Sequence, residues 1–392
     1  MIDFGLTEEQ KELQQRAKKF IDEKIRPHEK EWPLNVEDWS VDLKAHVLKK
    51  AEEARLFNLV VPKEYGGQEL GHVDQVIAWT ELRKMDNPRI GAWLTIHAPF
   101  PVMYEGTEYQ KEKYLWPVLR GEKDFAFAFT EPVAGSDFKG IQTTAVKNGD
   151  NWVLNGHKIF CSRAHQADFS LVCAYTDKSK GSRGMKLFYV DKGTPGWEVE
   201  RLLPMFSGAD HLEPLMKLEN CVIPDENVVG GEKGFGAGMY QFNKARFSIA
   251  VTSLAQSERS LELAIDYAKK RYAFGRPIGQ FGEIQRMITN SKIGVETMRW
   301  FIYHTAWKQD QGQDVRLDIA MAKVYCVETA LRVIDDCMQV FGGIGLTTDY
   351  PFGEYYKDRR TTKSAEGTIE VMRYVVARQL LGDEVSRMAP VA

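Results

Sequence analysis

The chain has no Cys-x-x-Cys pair, and its five cysteines (Cys161, Cys173, Cys221, Cys326, Cys337) are odd in number and widely spaced. That argues against a disulfide framework or a thiolate metal site, and the cysteines read as small buried apolar residues. His-Glu-x-x-His is missing as well, so a hydrolytic metal centre lacks its motif. No apolar run approaches the ~20 residues that a membrane-spanning helix needs. Neither sign of charge dominates: 52 Lys and Arg against 55 Asp and Glu give a net charge of −3. No basic footprint for nucleic acid or an anionic membrane exists, and any cationic site must be local. The N-terminus, Met1 to Leu6, lacks the basic start and apolar stretch of a secretion signal, and a cytoplasmic protein is expected.

What is present is the composition of a globular protein, 43% hydrophobic and 27% charged, in 392 residues. That length exceeds one ordinary core and implies two or three domains. Residues 1–123 read as helical. Thr7 and Gln10 have capping-box spacing, and Leu13, Ala17, Phe20, Ile21 and Ile25 follow at helical intervals until Pro27. Further helices are expected over Val41 to Arg55 and about His72 to Met85. Asn87-Pro88 is a strong helix start, and Pro99 and Pro101 stop that helix.

Residues 124–235 change in texture. Short β-rich runs at 151–154, 169–175, 185–190 and 215–218 are separated by Gly, Asn, Asp and Lys turns, the pattern of a compact antiparallel sheet or barrel. Residues 236–392 return to long helical patterns, with no proline between Ile278 and Tyr350. They predict an antiparallel four-helix bundle. The fold expected is α+β and mainly helical: an N-terminal helical domain, a middle antiparallel β-domain and a C-terminal helical bundle.

Four segments carry chemistry. Ser364-Ala365-Glu366-Gly367-Thr368-Ile369-Glu370 places a carboxylate at a helix start, beside a glycine that permits close approach to the backbone. Alone, it would equally suit an acidic residue meeting the helix macrodipole. The other three are Phe127-Ala-Phe-Thr-Glu-Pro-Val-Ala-Gly-Ser-Asp137, Arg271-Tyr-Ala-Phe-Gly-Arg-Pro-Ile278 and Gln339-Val-Phe-Gly-Gly-Ile-Gly345. In this order and along nearly the whole chain, they resemble the acyl-CoA dehydrogenase family. The resemblance implies FAD-dependent α,β-dehydrogenation of an acyl-CoA thioester. A base takes the α-proton, hydride leaves the β-carbon for the flavin, and electrons pass to electron-transfer flavoprotein.

Residue by residue, the resemblance makes Glu366 the base. Its main-chain N–H, with a flavin ribityl hydroxyl, would hold the thioester oxygen, and Gly367 would let the thioester pass. Some relatives carry the base on the helix of Gln241 to Arg246, but here no carboxylate lies between Met239 and Ser248. Phe127, Phe129, Thr130 and Ser136 would form the flavin loop, with Ser136 also touching CoA. Phe160 and Ser162 stand where the family usually has tryptophan and threonine. Arg271 and Phe274 would reach the FAD of a neighbouring subunit. Gln285 remains, although Gly282 replaces an expected polar contact, and Gln339, Gly342, Gly343 and Thr368 complete the cofactor set. Arg246 would help hold CoA. Cofactor shared across subunits implies a homo-oligomer, by family habit a tetramer. A Rossmann fingerprint is absent, because Gly230 to Gly238 has the wrong spacing and Gly342-Gly343 follows a helix.

The acyl group is read from Arg89, Trp93 and His97, which share one helical face after Pro88. Arg89 suits a carboxylate on the substrate, with Asp86 just outside the helix. Trp93 and Phe100 suit a ring. Thioesters of the glutaryl-CoA or benzylsuccinyl-CoA type are therefore expected; a solvent-facing Arg89 is the alternative. On the same scaffold, an acyl-CoA oxidase or flavin monooxygenase is the competing enzyme reading. A non-catalytic nucleic-acid-binding relative is the competing non-enzyme.

Overall fold

The computed structural model describes residues 5–33, 36–96, 99–206, 208–230 and 234–382. The chain divides into two compact units. One comprises Met1–Val36, Ser40–Ile96 and Asn243–Ala392; the other comprises Glu37–Trp39 and His97–Phe242.

The first unit begins with α1 (Glu8–Phe20), closed by the expected capping box: Thr7 Oγ1 accepts from Gln10 N at 3.2 Å, and Gln10 Oε1 accepts from Thr7 N at 3.1 Å. Leu13, Ala17 and Phe20 form its buried stripe. The helix widens into a π turn over Ile21–Ile25 rather than stopping. α2 (Val41–Glu53) starts on a Ser40 cap, α3 spans His72–Leu82 and α4 spans Pro88–Ile96. α4 starts as expected, with the Asn87 side chain accepting from Arg89 N at 3.0 Å. α3 ends three residues before Met85. Two side chains from the turn that follows Ile25 explain this: Arg26 donates to the Lys84 carbonyl at 3.3 Å, and Glu29 accepts from Asn87 N at 3.0 Å. They satisfy main-chain groups that the helix would otherwise use.

The second unit opens with short helical turns α5 (Pro101–Tyr104), α6 (Glu108–Gln110) and α7 (Trp116–Leu119). Eight strands follow: β1 (Phe125–Ala128), β2 (Thr144–Asn148), β3 (Asn151–Ile159), β4 (Phe169–Tyr175), β5 (Met185–Asp191), β6 (Trp197–Met205), β7 (Gly208–Pro224) and β8 (Val228–Val229). They form one sheet in the order β6-β7-β3-β2-β4-β5-β8, with β1 added beside β4. The ladders are antiparallel except those that β4 makes with β1 and β2, which are parallel. β4 is buried at all seven positions, which is why its sequence is a continuous apolar run without alternation. β6 escaped the sequence reading because Glu198, Glu200 and Arg201 dilute its apolar residues.

The first unit resumes along α8 (Gly234–Lys270). A small hairpin of β9 (Tyr272–Ala273) and β10 (Arg276–Pro277) turns through Phe274-Gly275. Then come α9 (Gly282–Asp310), α10 (Arg316–Phe341), α11 (Phe352–Thr361) and α12 (Ile369–Leu381). α10 packs on α9, α11 and α12. At Gly294 a Cβ would lie 2.9 Å from Thr329 Cγ2, so α9 and α10 approach at a distance only glycine allows. All five cysteines are free and buried, as the spacing implied.

Candidate active site

The turn from Thr362 to Thr368 connects α11 to α12. Its shape follows from two consecutive residues in the left-handed region, Glu366 at φ +56° and Gly367 at φ +89°. Glycine adopts this freely, whereas for a glutamate it costs about 1–2 kcal/mol and needs support from its surroundings. Thr368 supplies some, capping α12 by accepting from Val371 N at 3.1 Å.

Two cations supply the rest. Arg246 on α8 donates Nε to the Glu366 carbonyl at 2.8 Å and NH1 to Asn243 Oδ1 at 3.1 Å. Lys323 on α10 is wholly buried and donates its Nζ to the carbonyls of both Ala365 and Gly367. Three successive carbonyls, 365 to 367, are thus each held by a positive charge. The turn cannot flip without breaking charge-assisted hydrogen bonds.

The Glu366 side chain keeps partial exposure, and protein atoms surround it closely. Desolvation raises its pKa, and the charges of Lys323 and Arg246 offset only part of that rise. No donor among the described residues takes its carboxyl oxygens. Burial also lowers Lys323 to about 8, despite the opposing pull of Glu366. A half-exposed carboxylate, unbonded and more basic than usual, on a rigid turn, can accept a proton from a weak carbon acid.

α11 is tied to α8 just before this turn. Asp358 Oδ2 accepts from Gln256 Nε2 at 2.7 Å, and Arg359 NH1 donates to the Ile249 carbonyl at 3.1 Å and Ser253 Oγ at 3.2 Å. Arg83, at 1% exposure, lies over Trp79 at 4.4 Å and donates to Thr95, Thr252 and the Ser248 carbonyl. Burial pushes its guanidinium down to about 9.

In the second unit, the loop after β1 rests on a buried ion pair. Lys158 donates to Glu131 Oε1 at 2.7 Å and to the Phe129 carbonyl at 3.1 Å. Glu131 also accepts from Gln142 N at 2.5 Å and Thr143 N at 3.0 Å. Burial pushes the Glu131 carboxyl up, but Lys158 and these donors outweigh it and leave the pKa below its ordinary value. Ile159 N donates to the Thr130 carbonyl at 2.8 Å, which brings the Phe160 segment beside the Thr130 loop.

The sequence-derived residues sort as follows. Glu366, Gly367, Thr368 and Arg246 meet around one turn. Arg89 is half-buried and Trp93 buried on α4, and Asp86 pairs with Arg26 and Arg259, each at 3.0 Å. His97 lies outside the described residues. Phe127 and Phe129 stack at 4.0 Å, with Phe138 and Phe242 against Phe129, so those rings serve packing. Ser136 is exposed and Thr130 half-buried. Ser162 gives its hydroxyl proton to Glu213 at 2.7 Å. Gln285 donates to the Gly279 carbonyl at 3.0 Å, and Arg271, Gln339, Gly342 and Gly343 are exposed.

Phe160 and Phe274 are 52% and 94% exposed, and both are left-handed, like Glu366. In the second unit alone, the exposed Phe160 ring beside the Thr130 loop, with the exposed Ser136, fits the aromatic face and hydroxyl donors that a flavin ring takes.

Sequence reading missed Lys323, Arg83 and the Glu131–Lys158 pair. Lys323 had a signal. It falls in phase with Ile319, Val327 and Ala330, all buried, so a lysine interrupts the apolar face of α10.

Residues 7–122, 126–216 and 232–381 match the N-terminal, middle and C-terminal domains of the acyl-CoA dehydrogenase family. A short-chain-specific acyl-CoA dehydrogenase of Clostridium acetobutylicum is 32% identical over 383 residues, covering 97% of this chain and 100% of that one. A glutaryl-CoA dehydrogenase of Desulfococcus multivorans is also 32% identical, over 389 residues, covering 97% and 98%. A chain from a structure described as the electron transferring flavoprotein of Acidaminococcus fermentans superposes with TM-score 0.86 at 35% identity, covering 97% and 100%. The FAD complex of PigA superposes with TM-score 0.85 at 28% identity, covering 97% and 99%. No helix among the described residues is long and apolar enough to cross a membrane. The chain belongs to the acyl-CoA dehydrogenase family of oxidoreductases.

Proposed function

We propose that the protein oxidises an acyl-CoA thioester to the 2-enoyl-CoA, with Glu366 as the base at the α-carbon and FAD as cofactor. The observation that carries this reading is the state of the Glu366 side chain: desolvated, raised in pKa, its carboxyl oxygens taken by no donor among the described residues, and carried on a strained turn. As the α-proton moves to the carboxylate, charge grows on the thioester oxygen. The Glu366 main-chain N–H is the donor nearest in the chain for that oxygen. Gly367 leaves room beside it, and Arg246 holds the turn while attracting the anionic end of CoA. Thr130, Ser136, Phe160 and Ser162 would hold the flavin from one subunit, with Phe127 and Phe129 packing beneath. Arg271, Phe274, Gln285, Gln339, Gly342, Gly343 and Thr368 would complete the site, some of them for a neighbouring subunit. Bound FAD supplies the acceptor for hydride from the β-carbon, which no side chain can provide.

The sharing of these residues favours a homotetramer, and the nearly full exposure of Phe274 supports a partner there. Segments 1–123, 124–235 and 236–392 would then be the helical, β and base-bearing domains. Electron-transfer flavoprotein is the electron acceptor in this reading, supported by the similarity to the Acidaminococcus fermentans chain.

The substrate is a dicarboxylic or aromatic thioester of the glutaryl-CoA or benzylsuccinyl-CoA type, with Arg89 for the distal carboxylate and Trp93 for the ring. Two relatives at the same 32% identity carry different acyl preferences, so identity alone does not choose. The deciding experiment is anaerobic mixing of the flavoprotein with a panel of CoA thioesters, followed by bleaching of the yellow chromophore. Dicarboxylic thioesters should bleach it fastest, and Arg89→Ala should remove that preference. Unchanged turnover in Glu366→Gln would refute the base assignment.

A further inference from the structure

Lys323 has a place in the site that its chemistry must explain. It is 0% exposed, makes no ion pair among the described residues, and spends its ammonium on two main-chain carbonyls. A neutral donor could satisfy those carbonyls with much less desolvation. A cation adds polarisation, and the carbonyls it polarises flank Glu366.

The consequence follows from peptide geometry. A trans peptide is planar, so the Ala365 carbonyl and the Glu366 N–H point in opposite directions. Holding the carbonyl on Lys323 fixes the direction of that N–H. No acceptor among the described residues takes this N–H. Drawing electron density toward the carbonyl oxygen also makes the N–H a stronger donor, as in any hydrogen-bonded chain. Arg246 on the Glu366 carbonyl prevents the next peptide from rotating. The donor is therefore aimed and strengthened before substrate arrives, which is the condition for stabilising developing charge.

We infer that Lys323 is a positioning residue for the reaction: through the 365–366 peptide, its ammonium orients and strengthens the Glu366 main-chain N–H toward the thioester oxygen as it becomes an enolate. This rests on the reading of Glu366 and its turn as the reacting centre. It separates two duties of one residue, the side chain as base and the main chain as oxyanion donor, and assigns the second to control by Lys323.

The test uses acetoacetyl-CoA, whose enolate forms on binding without oxidation and can be titrated by its absorbance in the flavin-loaded enzyme. Lys323→Met should raise the apparent pKa of the bound enolate by about one unit. It should also lower kcat by roughly tenfold, with a smaller change in KM. Lys323→Gln keeps two N–H donors without charge, so it should fall between, and it carries the same test if Lys323→Met does not fold. The enolate shift should persist when Lys323→Met is added to Glu366→Gln, which has no base. An unchanged enolate pKa in the lysine variants, with only melting temperature lowered, would overturn the inference and leave Lys323 a structural clamp. Continued turnover by Glu366→Gln would instead remove the base reading, and the enolate titration would still report on Lys323.

Discussion

Arg246 Nε donates to the main-chain carbonyl of Glu366 at 2.8 Å, across 120 residues of sequence. The contact explains why an arginine on one helix is required by a turn between two others. Replacing it with lysine keeps the charge but loses the planar fork that reaches both Glu366 and Asn243. Arg246→Lys should reduce kcat/KM by roughly tenfold or more, with most of the melting temperature retained. Steady-state kinetics beside a thermal scan would check this; equal kinetics would mean the guanidinium geometry is irrelevant.

Gly367 has φ +89°, and a Cβ there would sit 3.1 Å from Met372 Cε and 3.3 Å from Arg246 NH2. Gly367→Ala should therefore cost about 1–2 kcal/mol in stability from backbone strain alone. It should also push Arg246 off the Glu366 carbonyl and lower activity more than stability. Urea unfolding with parallel assays would separate the two effects.

The pH profile follows from the raised pKa of Glu366. As a base it works ionised, so kcat/KM should fall as pH drops through a value above that of an ordinary glutamate. The stability effect has the opposite sign. A carboxyl with a raised folded-state pKa binds its proton more tightly when folded, so its contribution is present at low pH and lost as pH rises through the folded value. At neutral pH the ionised group destabilises the protein. Glu366→Gln should then be inactive yet melt higher than wild type at pH 7. A lower melting point would show that the carboxylate is structurally needed.

The Glu131–Lys158 pair makes a different prediction. Both side chains are nearly fully buried, at 2% and 0%. Removing one partner strands a charge, so Lys158→Met should cost about 3–5 kcal/mol, and adding Glu131→Leu should recover much of it. Glu131 is held below its ordinary pKa. Its stabilisation is therefore present above the unfolded value and lost as pH falls through the folded one. Acid unfolding of wild type and the double variant should differ in that range. Because the pair anchors the Phe129 carbonyl, FAD release should quicken in Lys158→Met.

Some of this was legible in the chain. The Thr7–Gln10 capping box, the Asn87-Pro88 start and the β4 run are local events, set by residues within a few positions of each other. The Glu366 turn was recognisable because its glycine and its helix cap are neighbours in sequence. The end of α3 before Met85 was not legible, because Arg26 and Glu29 impose it from a turn more than fifty positions away. β6 was hidden by its own charges. Lys323 sounded as a break in the α10 apolar face, but nothing nearby in sequence named its partners, which lie 42 and 44 positions away.

The chain's order of residues by itself determined the helical and β segments and set a carboxylate, a glycine and a helix cap side by side at 366–368, since these depend on periodicity and on neighbours. Only tertiary structure decided how basic that carboxylate is and which way its peptide faces. Both depend on desolvation and on cations delivered by distant helices, and electrostatic energy follows distance through space rather than along the chain.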